Sequence, residues 1–426
     1  MRRASWGLAS SAVASIASCL AAAALAQVPT EYVDLYHFLD EKMTGFDRTL
    51  EARWDGRRPP VNFGGELLTA NGNRGRALLT TRALAGVRLE LDRLRALGLD
   101  SVTIAIPFPL LDPAFLEWSG DPADFRSFVA FFSTVVAETH ARGMKLVVEN
   151  GAMFPGIYSA GSGLDAASYY PMLSASQYIA ARTAQVVTIA GEIHPDLLNV
   201  GSEPDTEHRL TGQAFLGLPG SFAGMVRGFV TQVAAAGVTD VPIVAGSGSW
   251  MHDASAYVDA LCDIPGLWGI DLHLYPVNYD FLDRTLDLAD LARAHGKHVV
   301  LLETWLQKER DSELAQIDPA FDPTLYSRDA FSFWAPLDQR FLAIVVKLAY
   351  VAQMEFVSPF WTRYFFAYLD YDQVSNASPP LTVEQIVSLA TAAHAQALVD
   401  GRFTETARSY SQLIGEPRLR NRIGRR

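Results

Sequence analysis

The segments Asn199-Val200-Gly201-Ser202-Glu203-Pro204 and Val299-Val300-Leu301-Leu302-Glu303-Thr304-Trp305 are largely apolar runs, each reaching a glutamate at its end. A carboxylate closing an apolar strand is costly to bury unless something uses its charge. Two of them, about 100 residues apart in the chain, suggest a pair converging on one substrate. One carboxyl that donates a proton and one that attacks are the minimum equipment for cleaving a glycosidic bond.

The elements that must position this pair can be read from the hydrophobic pattern. Short apolar runs recur at Val61–Thr69, Ser101–Leu111, Lys145–Gly151, Leu197–Glu203, Pro242–Gly248, Leu267–Tyr275, His298–Trp305 and Glu355–Trp361. They are too uniformly apolar for a half-solvated sheet, which predicts parallel strands buried on both faces. Between them lie stretches with i, i+3, i+4 apolar spacing, among them Gly86–Leu97, Pro122–Arg142, Ser174–Ile193, Ser221–Ala236, Asp280–His295, Asp338–Gln353 and Thr382–Asp400. Eight strands alternating with helices predict an α/β protein, a (β/α)8 TIM barrel. An open doubly wound sheet fits less well, because no Gly-x-Gly-x-x-Gly follows the first strand. Residues 30–58 read as an N-terminal helical extension closing the barrel bottom. Leu306–Pro336 is a long loop after strand seven carrying Phe321, Tyr326, Phe331, Phe333 and Trp334, expected to be a lid or cleft wall.

In such barrels the active site lies where the strands end. Strand one offers Asn62 or Glu66, and strand two ends in apolar Pro107-Phe108-Pro109. Strand three ends in Glu149-Asn150, strand four in Ser202-Glu203, strand six in His273-Leu274-Tyr275, strand seven in Glu303-Thr304-Trp305 and strand eight in Trp361. Trp250 follows strand five. The expected catalytic residues are Glu203 and Glu303. The expected substrate-binding residues are Tyr275, His273, Trp361, Ser202, Glu149, Asn150, Trp305 and Trp250. Carboxylates for an anomeric carbon and flat aromatic faces for pyranose C–H groups are what a sugar requires.

With these residues in this order, the chain resembles the large retaining glycoside hydrolase superfamily known as clan A. The strand-four motif there is usually Asn-Glu-Pro, and Gly201-Ser202-Glu203-Pro204 occupies its place. His273-Leu274-Tyr275 is similar to the clan's His-x-Tyr, and Trp361 to its sugar-stacking tryptophan. The resemblance spans about residues 60–400 and implies Glu203 as acid/base and Glu303 as nucleophile. It implies further that Tyr275 donates to Glu303 and that His273 holds the acid/base or a hydroxyl. Two departures stand out. Ser202 replaces the asparagine that bonds the sugar 2-hydroxyl, and strand two lacks an arginine, so an altered substrate or a lower activity is implied.

Composition narrows the alternatives. The chain has 426 residues, 49% hydrophobic and 19% charged, and a formal net charge of −12. That suits a globular protein with a large core and argues against nucleic acid as a partner. Arg2 and Arg3, the alanine-rich stretch to Leu25 and Ala24-Leu25-Ala26 read as a cleaved export signal, residues 1–26, which predicts a periplasmic or secreted protein with no transmembrane segment in its mature form. Ile16-Ala17-Ser18-Cys19 also resembles a lipobox, but the apolar run continues past Cys19. Cys262 would then be the sole cysteine, so no intrachain disulfide is expected. The barrel is expected over 59–405 and a basic, flexible tail over 406–426. No cofactor or metal is expected. The nine histidines are scattered, without a His-Glu-x-x-His pair. A non-catalytic carbohydrate-binding barrel and a metal-dependent barrel hydrolase are the competing readings.

Overall fold

In the computed structural model, which describes residues 28–155, 161–314 and 323–423, the apolar runs become eight parallel strands. These are β1 (Asn62–Phe63), β2 (Ser101–Ala105), β3 (Lys145–Glu149), β4 (Leu197–Asn199), β5 (Ile243–Gly248), β6 (Gly269–Leu274), β7 (His298–Thr304) and β8 (Phe356–Pro359). They pair in the order β1-β8-β7-β6-β5-β4-β3-β2, and a parallel bridge from Glu66 to Thr103 joins the two ends of the sheet. The fold is a (β/α)8 barrel. The expected export signal with Cys19, and Phe321 with the Tyr326 side chain, lie outside what is described. Among the described residues no helix is long and apolar enough to cross a membrane.

Strand one is far shorter than its apolar run. After Phe63 the chain turns, and Leu68–Ala70 is helical. The run Pro242–Gly248 becomes β5, and within it glycine is obligatory at 246. A Cβ on Gly246 would sit 1.5 Å from the Asp271 carbonyl oxygen on β6. Val147, Leu197, Val244, Val300, Leu302 and Phe356 form a separate apolar cluster inside the barrel, flooring the polar layer above it.

The N-terminal helix α1 (Val33–Arg53) does not close the barrel bottom. It lies along the flank, parallel to the helix α2 that spans Ala335–Val351. Its buried face is Leu35, Leu39, Met43, Phe46 and Leu50, and its polar edge pairs Asp40 with Arg340 and Asp47 with Lys347. The periodicity of the helix was legible, but which neighbour it would meet was not. Three aromatics of the loop after β7 are likewise turned into the core rather than toward a cleft. Phe331, Phe333 and Trp334 are buried, and the ring of Trp334 stacks on Tyr36 of α1 at 5.9 Å. The tail is also corrected. A helix, α3 (Glu405–Ile423), follows the last barrel helix, and Ala407, Tyr410 and Ile414 enter the core, with Tyr410 stacked on Phe365.

Candidate active site

Alternation along β6 sends Asp271, His273 and Tyr275 to one face, toward the barrel interior. The neighbouring strands place Glu149 level with Asn199, and His273 level with Glu303. The β6–β7 register slips between Asp271 and His273, and there the Leu302 amide donates to Asp271 Oδ1 at 3.0 Å. The slip has a consequence for β7. Val300 and Leu302 face the inner apolar cluster, yet the carboxyl of Glu303, one residue on, also reaches the mouth.

Glu203 lies past the end of β4, where Gly201 adopts φ +146° and its amide donates to Asn199 Oδ1 at 2.8 Å. A side chain at 201 would press on Arg182 and Phe222. Pro204 then starts a helix directly after Glu203. Beneath this turn the buried guanidinium of Arg182 pairs with Glu207 and donates to the carbonyls of Asn150 and Val200, tying the ends of β3 and β4 together.

His273 is the centre of the constellation. Its Nδ1 stands 2.9 Å from Glu203 Oε1 and 3.8 Å from Glu303 Oε2. Its Nε2 stands 2.9 Å from Asp271 Oδ2 and 3.3 Å from Glu149 Oε1. Both nitrogens face carboxylates, so both carry hydrogen and the ring is an imidazolium. Burial opposes that charge, but Asp271 and Glu303 outweigh it and hold the His273 pKa well above its ordinary value. Asp271 is itself fully buried and accepts from Asn199 at 2.7 Å and Ser202 at 2.8 Å.

Tyr275 donates to Glu303 Oε2 at 2.6 Å. The Glu303 pKa is pushed well above the carboxylate range by burial, then by Glu149 and Glu203, with His273 pulling the other way. A carboxyl oxygen of Glu149 lies within 4.8 Å of one on Glu303, and among the charged neighbours that raise the Glu303 pKa Glu149 is the strongest. Burial raises the pKa of the Tyr275 phenol, so it remains a donor.

Glu149, His273 and Glu303 offer ligand atoms within 4.8 Å of one another, close enough for a metal ion. The histidine does not suit that use, since each of its nitrogens already faces a carboxylate oxygen and has no lone pair to give.

Three expected binding residues sit differently from expectation. Asn150 is fully buried and donates to the Ile106 carbonyl. Trp305 is 1% exposed and packs on Tyr364 and Phe365. Ser202 turns inward onto Asp271 and Asn199. Glu149, by contrast, reaches the constellation: 4% exposed, it lies against His273 and within 4.8 Å of Glu303. Trp361 is half-buried, with the Arg363 guanidinium 5.3 Å from its ring. Trp250 donates to Asp205 Oδ2 at 3.0 Å, and its ring is 6.1 Å from that of Tyr275. A cavity of about 340 Å³ opens here, lined by Asp205, His208, Trp250, His252, Asp253 and Tyr257 among others.

Reading only the last residues of each strand missed Asp271 and Asn199. The signal was present, because Asp271 is a charge inside an apolar run at period two from His273 and Tyr275.

No family model and no curated protein matches the chain. Among solved structures, a GH5_18 protein from Streptomyces cattleya, crystallised with GlcNAc, is 13% identical at a TM-score of 0.48, covering 84% of this chain and 80% of that one. A GH5_18 protein from Bifidobacterium longum is 15% identical at 0.48, covering 84% and 79%. An endo-β-1,4-glucanase from Xanthomonas axonopodis pv. citri is 13% identical at 0.43, covering 76% and 90%. Likeness at this distance says nothing of catalysis.

Proposed function

We propose that the chain is an exported retaining glycoside hydrolase acting on a β-linked poly- or oligosaccharide, with Glu203 as acid/base and Glu303 as nucleophile. The observation that carries the reading is the contact of one atom, His273 Nδ1, with both carboxyls. The two facing oxygens are therefore no farther apart than about 7 Å, which favours the retaining spacing of about 5–5.5 Å over most of the wider inverting range. The order of Glu203, His273-Leu274-Tyr275, Glu303 and Trp361 on strands four, six, seven and eight supports the same reading.

In the first step Glu303 attacks the anomeric carbon while Glu203 gives its proton to the departing glycosidic oxygen. The bond from carbon to that oxygen breaks as the bond to Glu303 forms. In the second step Glu203 takes a proton from water, whose oxygen displaces Glu303 and leaves a sugar hydroxyl. Tyr275 and the His273 charge favour ionised Glu303, and His273 also aligns Glu203. The cavity beyond Asp205 and Trp250 lies on the Glu203 side, where a leaving-group sugar would sit. Arg2, Arg3 and the alanine-rich stretch behind them support export.

The test is sugar release from a panel of β-linked glycans by wild type, Glu203→Gln and Glu303→Gln. Release by wild type alone supports the assignment. Release unaffected by either substitution discards this site, and glycan binding without release by any of the three supports the non-catalytic alternative.

A further inference from the structure

Resting on the hydrolase reading, we propose that the sugar whose glycosidic bond is cut carries a protonated amino group at C2, so that the substrate class is a β-linked 2-amino-2-deoxy-glycan. The argument is a balance of donors, acceptors and charge at the barrel mouth.

Among the described residues, the side-chain donors that face these carboxyls are engaged. Asn199 Nδ2 serves Asp271 at 2.7 Å and Glu149 at 3.3 Å, and the Ser202 hydroxyl serves Asp271 at 2.8 Å. Both His273 nitrogens face carboxylates, Tyr275 serves Glu303, and Trp250 serves Asp205. Trp305 Nε1 is without a partner, but it belongs to the buried aromatic layer with Tyr364 and Phe365.

The free groups are acceptors. Glu149 Oε2 is buried and has no hydrogen-bond donor, in a residue 4% exposed that lies directly against the nucleophile. Asp205 Oδ1, on the leaving-group side, is also without one. Charge points the same way. Glu149, Glu203, Asp271 and Glu303 surround the mouth, and among the described residues the one cation they pair with is His273.

An ammonium group brings a positive charge, three donors and no acceptor. Neither a 2-acetamido group nor a hydroxyl brings a charge, and an acetamido carbonyl would add an acceptor where acceptors are already in excess. C2 is bonded to the anomeric carbon, so a ring placed for attack by Glu303 holds its C2 substituent beside Glu303 and Glu149. There the ammonium donates to the unpartnered Glu149 Oε2, and its charge favours ionised Glu303.

Hydrolysis of β-1,4-linked hexamers of glucosamine, N-acetylglucosamine and glucose by the full chain tests this. The expected result is a kcat/KM for the glucosamine hexamer at least about tenfold above the others, falling as its amines lose their protons with rising pH. Glu149→Gln is expected to shrink that advantage toward unity. Equal or faster cleavage of the glucose or N-acetylglucosamine hexamer overturns the amino-sugar proposal and leaves the hydrolase reading standing. Failure to cleave these or any other β-linked glycan removes the hydrolase reading, and this proposal with it.

Discussion

Asp271 Oδ2 lies 2.9 Å from Nε2 of His273, two residues along the same strand and on the same face. That contact fixes which way the imidazolium points, and its other nitrogen then falls 2.9 Å from Glu203. Glu203 is thus held from strand six, through a ring that is itself held by a fully buried carboxylate.

Asp271→Asn keeps the shape and removes the charge. Without that partner, burial wins and the His273 pKa drops. A raised histidine pKa stabilises the fold fully below about pH 6.5, and the gain is lost as pH rises through the folded value. Wild type should therefore exceed the variant in stability most at mildly acidic pH, with the gap closing at alkaline pH. In activity we expect kcat to fall on the order of 100-fold with KM little changed. A stability gap independent of pH, with full kcat, would refute the positioning role.

With Glu303 as the proposed nucleophile, its raised pKa should set the acid limb of activity. Its ionised fraction grows as pH rises through that value, so the ascending limb of kcat/KM should lie above the ordinary carboxylate range. Glu149 is the second cause of the shift after burial, so Glu149→Gln should move the limb toward acid. A limb that stays put would mean that the Glu149 charge does not act on Glu303.

Glu309 is fully buried, and neither carboxyl oxygen has a hydrogen-bond partner. Burial first, then Glu313 and Asp329, raises its pKa to about 8, with Arg328 opposing. The folded state thus binds a proton that the unfolded chain has released, and stability falls as pH rises from about 4.5 to 8. Glu309→Gln should match wild type at pH 5 and melt higher at pH 9, by up to a few kcal/mol. Thermal melts at the two pH values decide it, and an equal gap at both would place the charge elsewhere.

Arg182→Met should destabilise the fold by about 3–5 kcal/mol, because it strands the buried Glu207 and frees two carbonyls at the ends of β3 and β4. Arg182→Met combined with Glu207→Leu should recover much of the loss. Urea unfolding of the single and double variants measures the difference, and additive losses would deny the pairing.

The sequence by itself determined the barrel, because eight apolar runs alternating with amphipathic stretches leave few other ways to bury both faces of a sheet. It also determined Glu203, Glu303, His273 and Tyr275 as candidates, since polar groups at the ends of apolar runs are visible in one dimension. Tertiary structure alone decided how they meet. The strand register slip that turns Glu303 into the mouth, the inward rotation of Ser202, and the burial of Asn150 and Trp305 depend on contacts between strands far apart in the chain. The side on which α1 docks, and the helix where a tail was expected, were hidden for the same reason. Periodicity specifies that a face will be buried, while the partner that buries it is chosen by packing across the whole fold.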